Sequence, residues 1–310
     1  AGLEAIQTLD EASSLVAIIG PACSDVVSAI LPTVRRNDWL LISPASTAPS
    51  LTASDYNPAF FRTPPSHLHQ ATVAAHFAYE QLGVRETAVL ADNSEFNTVL
   101  AQQFSDTFTA LGGRVVYQGN LALGQADVAE LIAETAASNP ELVYLALFQP
   151  EGNLIINRLA ENSRLNNVIL LGSDSLRTAQ FAAQIGNLPP EIYVTGPALA
   201  GPAYDSFAAI WVNRYETLPN NAAPAYAYDA TQLILSAIEE VAVAGPNGSL
   251  MIGRAALREA LTSLNLTGLT GNLNCTPDGD CAANSYGVYE LDTAVRNNAF
   301  WPPPLIWQFE

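Results

Sequence analysis

Short apolar runs alternate with amphipathic stretches along most of this chain. A short apolar run is typical of a strand buried on both faces, whereas apolar residues that recur every three or four positions indicate a helix. The runs predict strands near residues 15–19, 39–43, 86–91, 114–118, 141–147, 167–172 and 191–195. The amphipathic stretches predict helices near residues 24–35, 68–82, 96–111, 126–138, 150–163, 175–185, 203–216, 225–243 and 253–263. Strands and helices that alternate through short loops indicate the α/β class, with doubly wound parallel sheets covered by helices on both faces.

Two proline-containing segments interrupt this alternation. They are residues 60–66 (Phe-Phe-Arg-Thr-Pro-Pro-Ser) and residues 196–202 (Gly-Pro-Ala-Leu-Ala-Gly-Pro). Because a residue that precedes proline is kept out of the helical region, both segments are predicted to be extended connectors. A chain of 310 residues is long enough for two domains with separate cores. We therefore predict that these two segments cross between two domains.

The chain is strongly acidic, with a formal net charge of −18, and its 12 basic residues are all arginines. Binding to nucleic acid needs concentrated positive charge, so nucleic acid is not an expected partner. The absence of lysine also excludes a Walker A phosphate loop and Schiff-base catalysis. No apolar run reaches the length of a membrane span.

Two strand-to-loop junctions near the start combine proline with small and hydroxyl-bearing residues. Residues 16–24 end in Gly-Pro-Ala-Cys-Ser, and residues 40–52 continue an apolar run into Ser-Pro-Ala-Ser-Thr. Ligands of open parallel sheets bind beyond the carboxyl ends of the strands. Three features would favour an anion there: exposed backbone N–H groups, the hydroxyl donors of Ser24 and Thr47, and the positive end of the helix that follows Ser24. This combination suits a carboxylate or another small anion, whereas a plain helix N-cap is the alternative role for Ser24.

Other combinations of reactive residues do not form a known catalytic or metal-binding motif. The sequence has no Gly-x-Ser-x-Gly and no Gly-x-Gly-x-x-Gly, so acyl transfer and dinucleotide binding lack their motifs. His67, His69 and His76 are close in sequence, but we expect them on the surface face of a helix, without a metal ion. An aromatic stripe with a spacing of four is predicted to belong to the core: Phe207, Trp211 and Tyr215.

Three cysteines bear on the cellular compartment. Cys275 and Cys281 flank a Pro-Asp-Gly turn, which brings the two thiols close enough for a disulfide. A disulfide indicates an oxidising compartment. Asp278 and Asp280 of the same turn also resemble a fragment of a calcium loop, although the other ligand positions are missing. Cys23 is left over, which predicts either a free thiol or a partner outside the printed sequence.

Several short motifs stand in a characteristic order along the chain. They are Ile-Gly-Pro-x-Cys-Ser at 19–24, Ile-Ser-Pro-Ala-Ser-Thr-x-Pro-x-Leu-Thr at 42–52, Phe-Arg-Thr-x-Pro-Ser at 61–66 with Gln70, Leu-Ala-Asp-Asn-Ser-Glu-Phe at 90–96, Leu-Gly-Ser-Asp at 171–174, Ala-Tyr-Asp-Ala at 227–230 and Gly-Leu-Thr-Gly at 268–271. In this order they resemble the type I periplasmic solute-binding proteins of amino-acid ABC transporters, a group that includes the leucine/isoleucine/valine-binding proteins. The resemblance spans essentially the whole chain.

The resemblance implies the type I periplasmic-binding-protein fold, in which two α/β lobes are joined by a hinge of several crossing strands. Lobe one would comprise residues 1–64 with 197–272, and lobe two residues 66–195 with 283–310. The family's first strand and its loop have no counterpart here, so the first βαβ portion of lobe one is expected to be missing from the printed chain. A cysteine in that missing segment is the partner that the resemblance implies for Cys23.

The resemblance also assigns binding residues. It implies that the side chains of Ser24 and Thr47, with the backbone of Ala45, hold the α-carboxylate and ammonium of an amino acid. Asp174 falls where the family places an acidic residue on the ammonium. Phe96 stands where the family has a tyrosine, so its ring can pack on the ligand but cannot donate a hydroxyl hydrogen bond. Three further positions are expected to line the site: Ser46, Phe148 and Tyr226.

The implied function is the capture of a small amino acid or related carboxylate between the lobes, for delivery to a membrane ABC permease. The protein is expected to be exported to the periplasm or the outer face of the membrane, to be a monomer, and to need no cofactor. A ligand-binding sensor domain of a signalling receptor is the alternative within the same class. An enzyme on a related scaffold is the alternative from another class, and it would need a nucleophile with an adjacent base.

Overall fold

The computed structural model describes residues 2–9, 12, 14–52, 59–185, 191–282, 286–297 and 301–309 of the chain. The chain divides into two units. Unit 1 consists of Ala1–Ser66 and Leu199–Ser285, and unit 2 of His67–Ala198 and Tyr286–Glu310. Residues 283–285, at the start of the second segment predicted for lobe two, lie outside the described residues.

Strands and helices alternate as the hydrophobic pattern predicts. The strands, in chain order, are β1 (Ala17–Ile19), β2 (Leu40–Ser43), β3 (Phe60–Arg62), β4 (Glu86–Asp92), β5 (Arg114–Leu121), β6 (Leu142–Ala146), β7 (Ile169–Gly172), β8 (Ile192–Pro197), β9 (Val243–Ala244), β10 (Leu250–Met251), β11 (Leu266–Gly268), β12 (Gly271–Leu273), β13 (Tyr286–Glu290) and β14 (Leu305–Gln308). The helices are α1 (Gly2–Leu9), α2 (Ser24–Arg36), α3 (His67–His76), α4 (Glu95–Ala110), α5 (Ala129–Ser138), α6 (Gln149–Glu161), α7 (Ala179–Ile185), α8 (Pro202–Tyr215), α9 (Ala223–Val241), α10 (Arg254–Ser263) and α11 (Thr293–Arg296). None of the helices in the described ranges is long and apolar enough to cross a membrane.

Unit 1 is built on a parallel three-stranded sheet in the order β1-β2-β3. Successive side chains of a strand point to opposite faces, so β2 contributes to two cores. Leu40 and Ile42 pack with residues of α9 and α10 on one face. Leu41 packs on the other face with Ile6 of α1 and Val27 of α2. The sheet is therefore covered by helices on both faces, which confirms the predicted α/β class.

The segment around residues 60–66 was predicted to be an extended connector, but its first part is a strand. In β3, Phe61 pairs with Ile42, and Arg62 pairs with Ser43 of β2. The cysteine turn then continues the pairing at the other side of β3, because the Arg62 amide donates to the Gly279 carbonyl at 2.8 Å. Cys275 and Cys281 form a disulfide at the base of that turn, which confirms the predicted pairing.

Arg62 is completely buried and joins three segments of unit 1. Its Nε pairs with the carboxylate of Asp280 in the disulfide turn. Its Nη1 donates to the Ala48 carbonyl at 2.8 Å, and its Nη2 donates to the Thr52 hydroxyl at 2.6 Å. The guanidinium therefore fixes the loop that follows β2 against β3 and the turn. Asp280 serves this ion pair, and within the described ranges no group of acidic, histidine or cysteine side chains could hold a metal ion.

Unit 2 contains a seven-stranded sheet in the order β14-β13-β8-β7-β6-β4-β5. The pairs from β8 to β5 are parallel, whereas β13 is antiparallel to both β8 and β14. One face of the sheet packs on α5, α6 and α7 through residues such as Leu131, Ile155 and Phe181. The other face packs on α3 and α4 through residues such as Val73 and Phe104.

Two helices begin later than the hydrophobic pattern predicts, and local side-chain bonds explain both. The helix predicted from residue 126 starts at Ala129, because the Asp127 carboxylate accepts from the Ala129 amide and holds a turn before the helix. The helix predicted from residue 175 starts at Ala179, after a separate 3-10 turn over Asp174–Leu176. Thr178 begins the new helix by accepting from the Phe181 amide at 3.0 Å.

Two predictions about side-chain environment were wrong. His67 was expected on a surface face, but it is 2 % exposed because α3 packs against both the sheet and α4. The aromatic stripe of α8 was expected in the core, yet α8 has no buried residue and Tyr215 is 57 % exposed. The rings of this stripe contact one another instead, with centroids of Trp211 and Tyr215 4.4 Å apart.

We predict that Arg62→Met lowers the free energy of unfolding by about 2–4 kcal/mol. The loss arises because the buried pair is broken and two hydrogen-bond acceptors lose their donor, while the 39 % exposure of the Asp280 side chain limits the penalty. Urea unfolding measures this change. The control Arg158→Met breaks the exposed pair with Glu161, so it should change stability by less than about 1 kcal/mol. Equal effects of the two substitutions would contradict the role of Arg62.

Candidate functional site

The two loops that carry the predicted carboxylate site are tied together in unit 1. Ser43, at the end of β2, accepts hydrogen bonds from the amides of Ala45 at 3.3 Å and Ser46 at 2.9 Å. Its hydroxyl donates in turn to the Pro21 carbonyl at 2.6 Å, in the loop that follows β1. This one side chain therefore sets the path of the loop after β2 and its distance from the loop after β1.

Ser46 was predicted to line the binding site, but its side chain belongs to the loop structure. It is completely buried, and its hydroxyl lies 3.2 Å from the carbonyl oxygens of both Pro21 and Ala22. A hydroxyl has a single hydrogen to donate, and these two carbonyls use it. Ser46 thus holds the two loops together, and its side chain has no hydrogen left for a ligand.

Ser24 and Thr47 keep donor capacity where the prediction placed it. Ser24 is the first residue of α2, and Cys23 occupies the N-cap position, so the alternative role of Ser24 as an N-cap is wrong. The Ser24 hydroxyl accepts from the Ala48 amide at 3.2 Å, which leaves its hydrogen available. Thr47 is half-buried, and across the described ranges its hydroxyl has no hydrogen-bond partner. Both hydroxyls lie at the positive end of α2 or on the loop bonded to it.

The remaining predicted residues of unit 1 have less direct roles. Cys23 is an exposed free thiol. Ala45 is half-buried, with its amide bonded to Ser43. Tyr226 lies on α9 and is buried, and its carbonyl accepts from the Thr63 hydroxyl just after β3 at 3.0 Å. This hydrogen bond connects Tyr226 with the segment that follows β3.

In unit 2, two predicted aromatic residues form one apolar surface. The rings of Phe96 and Phe148 are stacked with their centroids 5.9 Å apart. His67 of α3 meets Phe96 edge-on, with the ring centroids 4.7 Å apart. Phe148 is 38 % exposed, so this surface is open to solvent or to a ligand. Stacked and edge-on rings of this kind favour an apolar group as the contact partner.

Asp92 fixes the positions of these two rings. It is completely buried at the end of β4, and it accepts four hydrogen bonds. One oxygen accepts from the amide and the hydroxyl of Ser94, at 3.0 and 2.5 Å. The other accepts from the Asn97 side chain at 2.7 Å and from the Phe148 amide at 3.1 Å. Asp92 therefore joins the turn that carries Phe96 to the loop that carries Phe148.

Asp174 follows β7, and its carboxylate accepts fewer hydrogen bonds than the carboxylate of Asp92 does. Gln70 Nε2 donates to Asp174 Oδ1 at 3.1 Å, and backbone amides at the start of the 3-10 turn also donate. Burial nevertheless raises the pKa of the Asp174 carboxyl, although the Gln70 hydrogen bond, those amides and the charge of Arg177 act in the opposite direction. Among the residues described, no arginine or histidine forms an ion pair with Asp174. The carboxylate is therefore suited to a positive group that comes from outside the chain.

A buried tyrosine contributes to the surroundings of Asp174. Tyr144 of β6 is completely buried and stacks on Phe104 with a centroid distance of 4.0 Å. Burial raises the pKa of its hydroxyl, and the negative charge of Asp174 raises that pKa further. The hydroxyl has no hydrogen-bond partner in the part of the chain that the structure describes. Tyr144 therefore stays neutral and leaves a donor beside the carboxylate.

Helix α3 links Asp174 to the aromatic pair. His67 and Gln70 lie one turn apart on this helix, and they contact Phe96 and Asp174 respectively. Within unit 2 the fold therefore brings the predicted residues together through two side chains to which the sequence assigned no binding role. Sequence reasoning also gave no binding or supporting role to Asp92, which holds the two rings, or to Tyr144, which lies near Asp174. Only Asp92 carries a local signal, since a buried Asp two residues before a Ser is typical of an Asx turn.

Most of the chain matches a known protein family. A sequence profile of the periplasmic binding protein family matches residues 1–296. The Leu/Ile/Val-binding protein BraC3 of Rhizobium johnstonii is 24% identical over 275 residues, which cover 89% of this chain and 72% of that protein.

Solved structures show the same fold. The leucine binding protein LivK of Thermotoga maritima superposes with a TM-score of 0.76 at 24% identity, covering 93% of this chain and 80% of that one. The branched-chain amino acid binding protein LivJ of Streptococcus pneumoniae, solved with isoleucine, superposes with a TM-score of 0.77 at 17% identity, covering 94% and 80%. These similarities agree with the predicted type I fold.

We predict that Asp174→Asn stabilises the ligand-free protein at neutral pH. A carboxyl whose pKa is raised by folding destabilises the folded state above its unfolded pKa, where the unfolded chain ionises more readily. The difference in melting temperature between variant and wild type should therefore grow as the pH rises from about 4 towards 7. Thermal unfolding across this range measures it. A lower melting temperature for Asp174→Asn at every pH would show that the ionised carboxylate is structural.

Proposed function

Because this chain belongs to the periplasmic binding protein family, we propose that it captures a small α-amino acid with an apolar side chain and presents it to an ABC permease. This family consists of solute-binding proteins, and capture requires no bond to be made or broken. The names of its relatives support the ligand class, since they include a Leu/Ile/Val-binding protein and a structure solved with isoleucine. The groups in each unit agree with the three parts of such a ligand.

Unit 1 would hold the carboxylate of the ligand. The Ser24 and Thr47 hydroxyls retain donor capacity, and Ser24 stands at the start of a helix of 13 residues. The positive end of a helix favours a negative group by about 0.3–1 kcal/mol where the site is exposed, and more where it is partly buried. Two hydroxyl donors and a helix start suit a carboxylate better than they suit a neutral amide.

Unit 2 would hold the ammonium group. The observation that carries the proposal is the environment of Asp174. Asp174 is a partly buried carboxylate whose pKa is raised by burial, with no ion-pair partner among the described residues. A carboxylate whose ionised form is disfavoured by burial costs stability, and proteins retain one mainly where a function uses it. A ligand ammonium supplies the missing positive charge, so an α-amino acid fits this carboxylate better than a plain carboxylic acid does.

The stacked rings of Phe96 and Phe148 would contact the side chain of the ligand. Neither ring offers a hydrogen-bonding group, so an apolar side chain gains by leaving water there, whereas a polar side chain would lose hydrogen bonds. The disulfide between Cys275 and Cys281 supports a role outside the cytoplasm, because such bonds persist in oxidising compartments. Export to the periplasm or to the outer face of the membrane is therefore part of the proposal.

Calorimetric titration with L-leucine and with 4-methylpentanoate tests the proposal, because the second compound is leucine without its amino group. The wild-type protein should prefer leucine. Asp174→Asn should weaken leucine binding by about 2–5 kcal/mol, since the ammonium then lacks a counter-charge. Thr47→Ala should weaken binding of both compounds by about 1–3 kcal/mol, since it removes a donor to the shared carboxylate.

Two control variants replace similar residues outside these groups. Asp106→Asn alters an exposed aspartate of α4 that is bonded to Gln102, and Thr267→Ala alters an exposed threonine of β11. Both should bind leucine as the wild type does. Equal binding of leucine and 4-methylpentanoate by the wild type would refute the ammonium contact, and no binding of any amino acid would refute the proposed ligand class.

A further inference from the structure

Gln70 of α3 is the only side chain in the described ranges that donates a hydrogen bond to Asp174. It is completely buried, and its Nε2 lies 3.1 Å from Asp174 Oδ1 and 2.8 Å from the Thr195 hydroxyl oxygen. A side-chain amide has two hydrogens on its nitrogen, so each of these contacts uses one of them. Neither hydrogen is then left to donate elsewhere, and the amide plane is fixed with respect to Asp174.

The second contact of Gln70 is itself anchored to the sheet. Thr195 of β8 is completely buried, and its hydroxyl donates to the Gly172 carbonyl at the end of β7, 3.3 Å away. Asp174 lies two residues after Gly172 in the sequence. Gln70, Thr195 and Gly172 therefore form a chain of hydrogen bonds that starts and ends beside Asp174. Among side chains of the described ranges, the Gln70 amide is thus the one that ties the carboxylate to the sheet.

The acceptor end of the same amide has a different environment. In the part of the chain that the structure describes, Gln70 Oε1 is buried without a hydrogen-bond partner. An amide that served only to attach α3 to the sheet would cost less as an apolar side chain of similar shape, because an unsatisfied buried acceptor destabilises the fold. The retained amide is therefore explained better by its effect on Asp174 than by packing.

We propose that Gln70 is a positioning residue that holds the Asp174 carboxylate in the charge state and orientation in which it binds an ammonium group. It would thereby set the preference of this protein for an amino acid over the corresponding deaminated acid. This inference rests on the proposed function, because it requires that Asp174 contacts the ligand. Gln70 acts through Asp174 and Thr195, so its effect should appear in selectivity rather than in binding of every ligand.

Within the described ranges, one charged side chain acts on the pKa of Asp174. Arg177, in the segment after the 3-10 turn, favours the ionised carboxylate, as the Gln70 hydrogen bond also does. The charge of Asp174 raises the pKa of Tyr144 on β6, so that this hydroxyl stays neutral, and His67 of α3 packs against Phe96 one turn from Gln70. Loss of the Gln70 donor should therefore raise the pKa of Asp174 further, so that leucine binding is lost at a higher pH as the solution is acidified.

The experiment compares Gln70→Leu with the wild type in calorimetric titrations of L-leucine and 4-methylpentanoate between about pH 4 and 8. Leucine binding at neutral pH should weaken roughly 10- to 100-fold, the range expected when a hydrogen bond to a charged group is lost. Binding of 4-methylpentanoate should stay the same within about twofold, because it has no ammonium for Asp174. The pH below which leucine binding is lost should be higher in Gln70→Leu than in the wild type.

Two further variants keep the test decisive. Thr195→Val removes the hydroxyl that anchors the Gln70 amide but leaves the bond between Gln70 and Asp174. It should therefore reduce the preference for leucine, by less than Gln70→Leu does. Thr87→Val is the matched control, because Thr87 is a buried threonine at the opposite end of the sheet whose hydroxyl bonds to the Leu142 carbonyl at 3.1 Å. It should lower stability and leave the ratio of the two affinities unchanged.

The outcomes separate the inference from the proposed function. If Gln70→Leu weakens both compounds equally, or leaves the leucine preference and its pH limit unchanged, Gln70 is a structural residue and the inference is overturned. If Gln70→Leu does not fold, an unchanged preference in Thr195→Val overturns it, and a reduced preference supports it. A wild-type protein that shows no preference for leucine would instead refute the ammonium contact itself.

Discussion

A charge removed from water must be given partners inside the protein, and this constraint organises both units. Asp92 and Asp229 are completely buried, and each accepts several hydrogen bonds from donors in nearby loops. The buried guanidinium of Arg62 is matched by Asp280 and by two further oxygen acceptors. Backbone and hydroxyl groups of loops supply most of these bonds, and the Asn97 side chain of α4 supplies one to Asp92. The cost of burying a charge is thus offset by ordering the loops that satisfy it.

These satisfied charges lie where the candidate binding groups need support. Asp92 bonds to the amide of Phe148 and to the turn that leads to Phe96, so two aromatic rings from different strand ends are set by one carboxylate. In unit 1, Arg62 bonds to the carbonyl of Ala48, which directly follows Thr47 and whose amide bonds to Ser24. Binding groups must be held within a fraction of an ångström to be selective, and buried ionic contacts with fixed geometry can do this for loops.

The sequence predicted the fold more completely than the site, because the two depend on contacts of different range. Apolar runs such as that of β2 report burial directly, so most strands and helices could be predicted from local periodicity. The hydroxyls of Ser24 and Thr47 were proposed as ligand donors because they follow strands, where ligands of parallel sheets bind. The hydrogen bonds that support Asp174 could not be predicted. Gln70 lies 104 positions from Asp174 and 125 from Thr195 in the sequence, and no local pattern indicates such pairs.

The errors have the same origin. The α8 stripe has the spacing of a buried helix face, but periodicity shows only that one face is apolar, and it does not show what covers that face. His67 was assigned to the surface because a histidine alone carries no signal of burial, whereas the packing of α3 against the sheet and α4 is a property of the assembled unit. Ser46 resembled a ligand donor because its hydroxyl cannot be distinguished in sequence from that of Thr47, one residue later.

Burial raises the pKa of the Asp174 carboxyl despite the hydrogen bonds that it accepts, and this has a thermodynamic consequence. The carboxylates of Asp92 and Asp229 are held by donors from several segments, whereas Asp174 accepts from the Gln70 side chain and from backbone amides of its own turn. The ligand-free protein therefore holds free energy at this residue that a positive ligand group can release. A ligand that supplies the charge gains this free energy in addition to its own contacts, and one that lacks it leaves the carboxylate as costly as before. Under the proposed function, selectivity for an ammonium group would arise from the unfavourable state of the free protein, and a site with a fully satisfied Asp174 would be more stable and less selective.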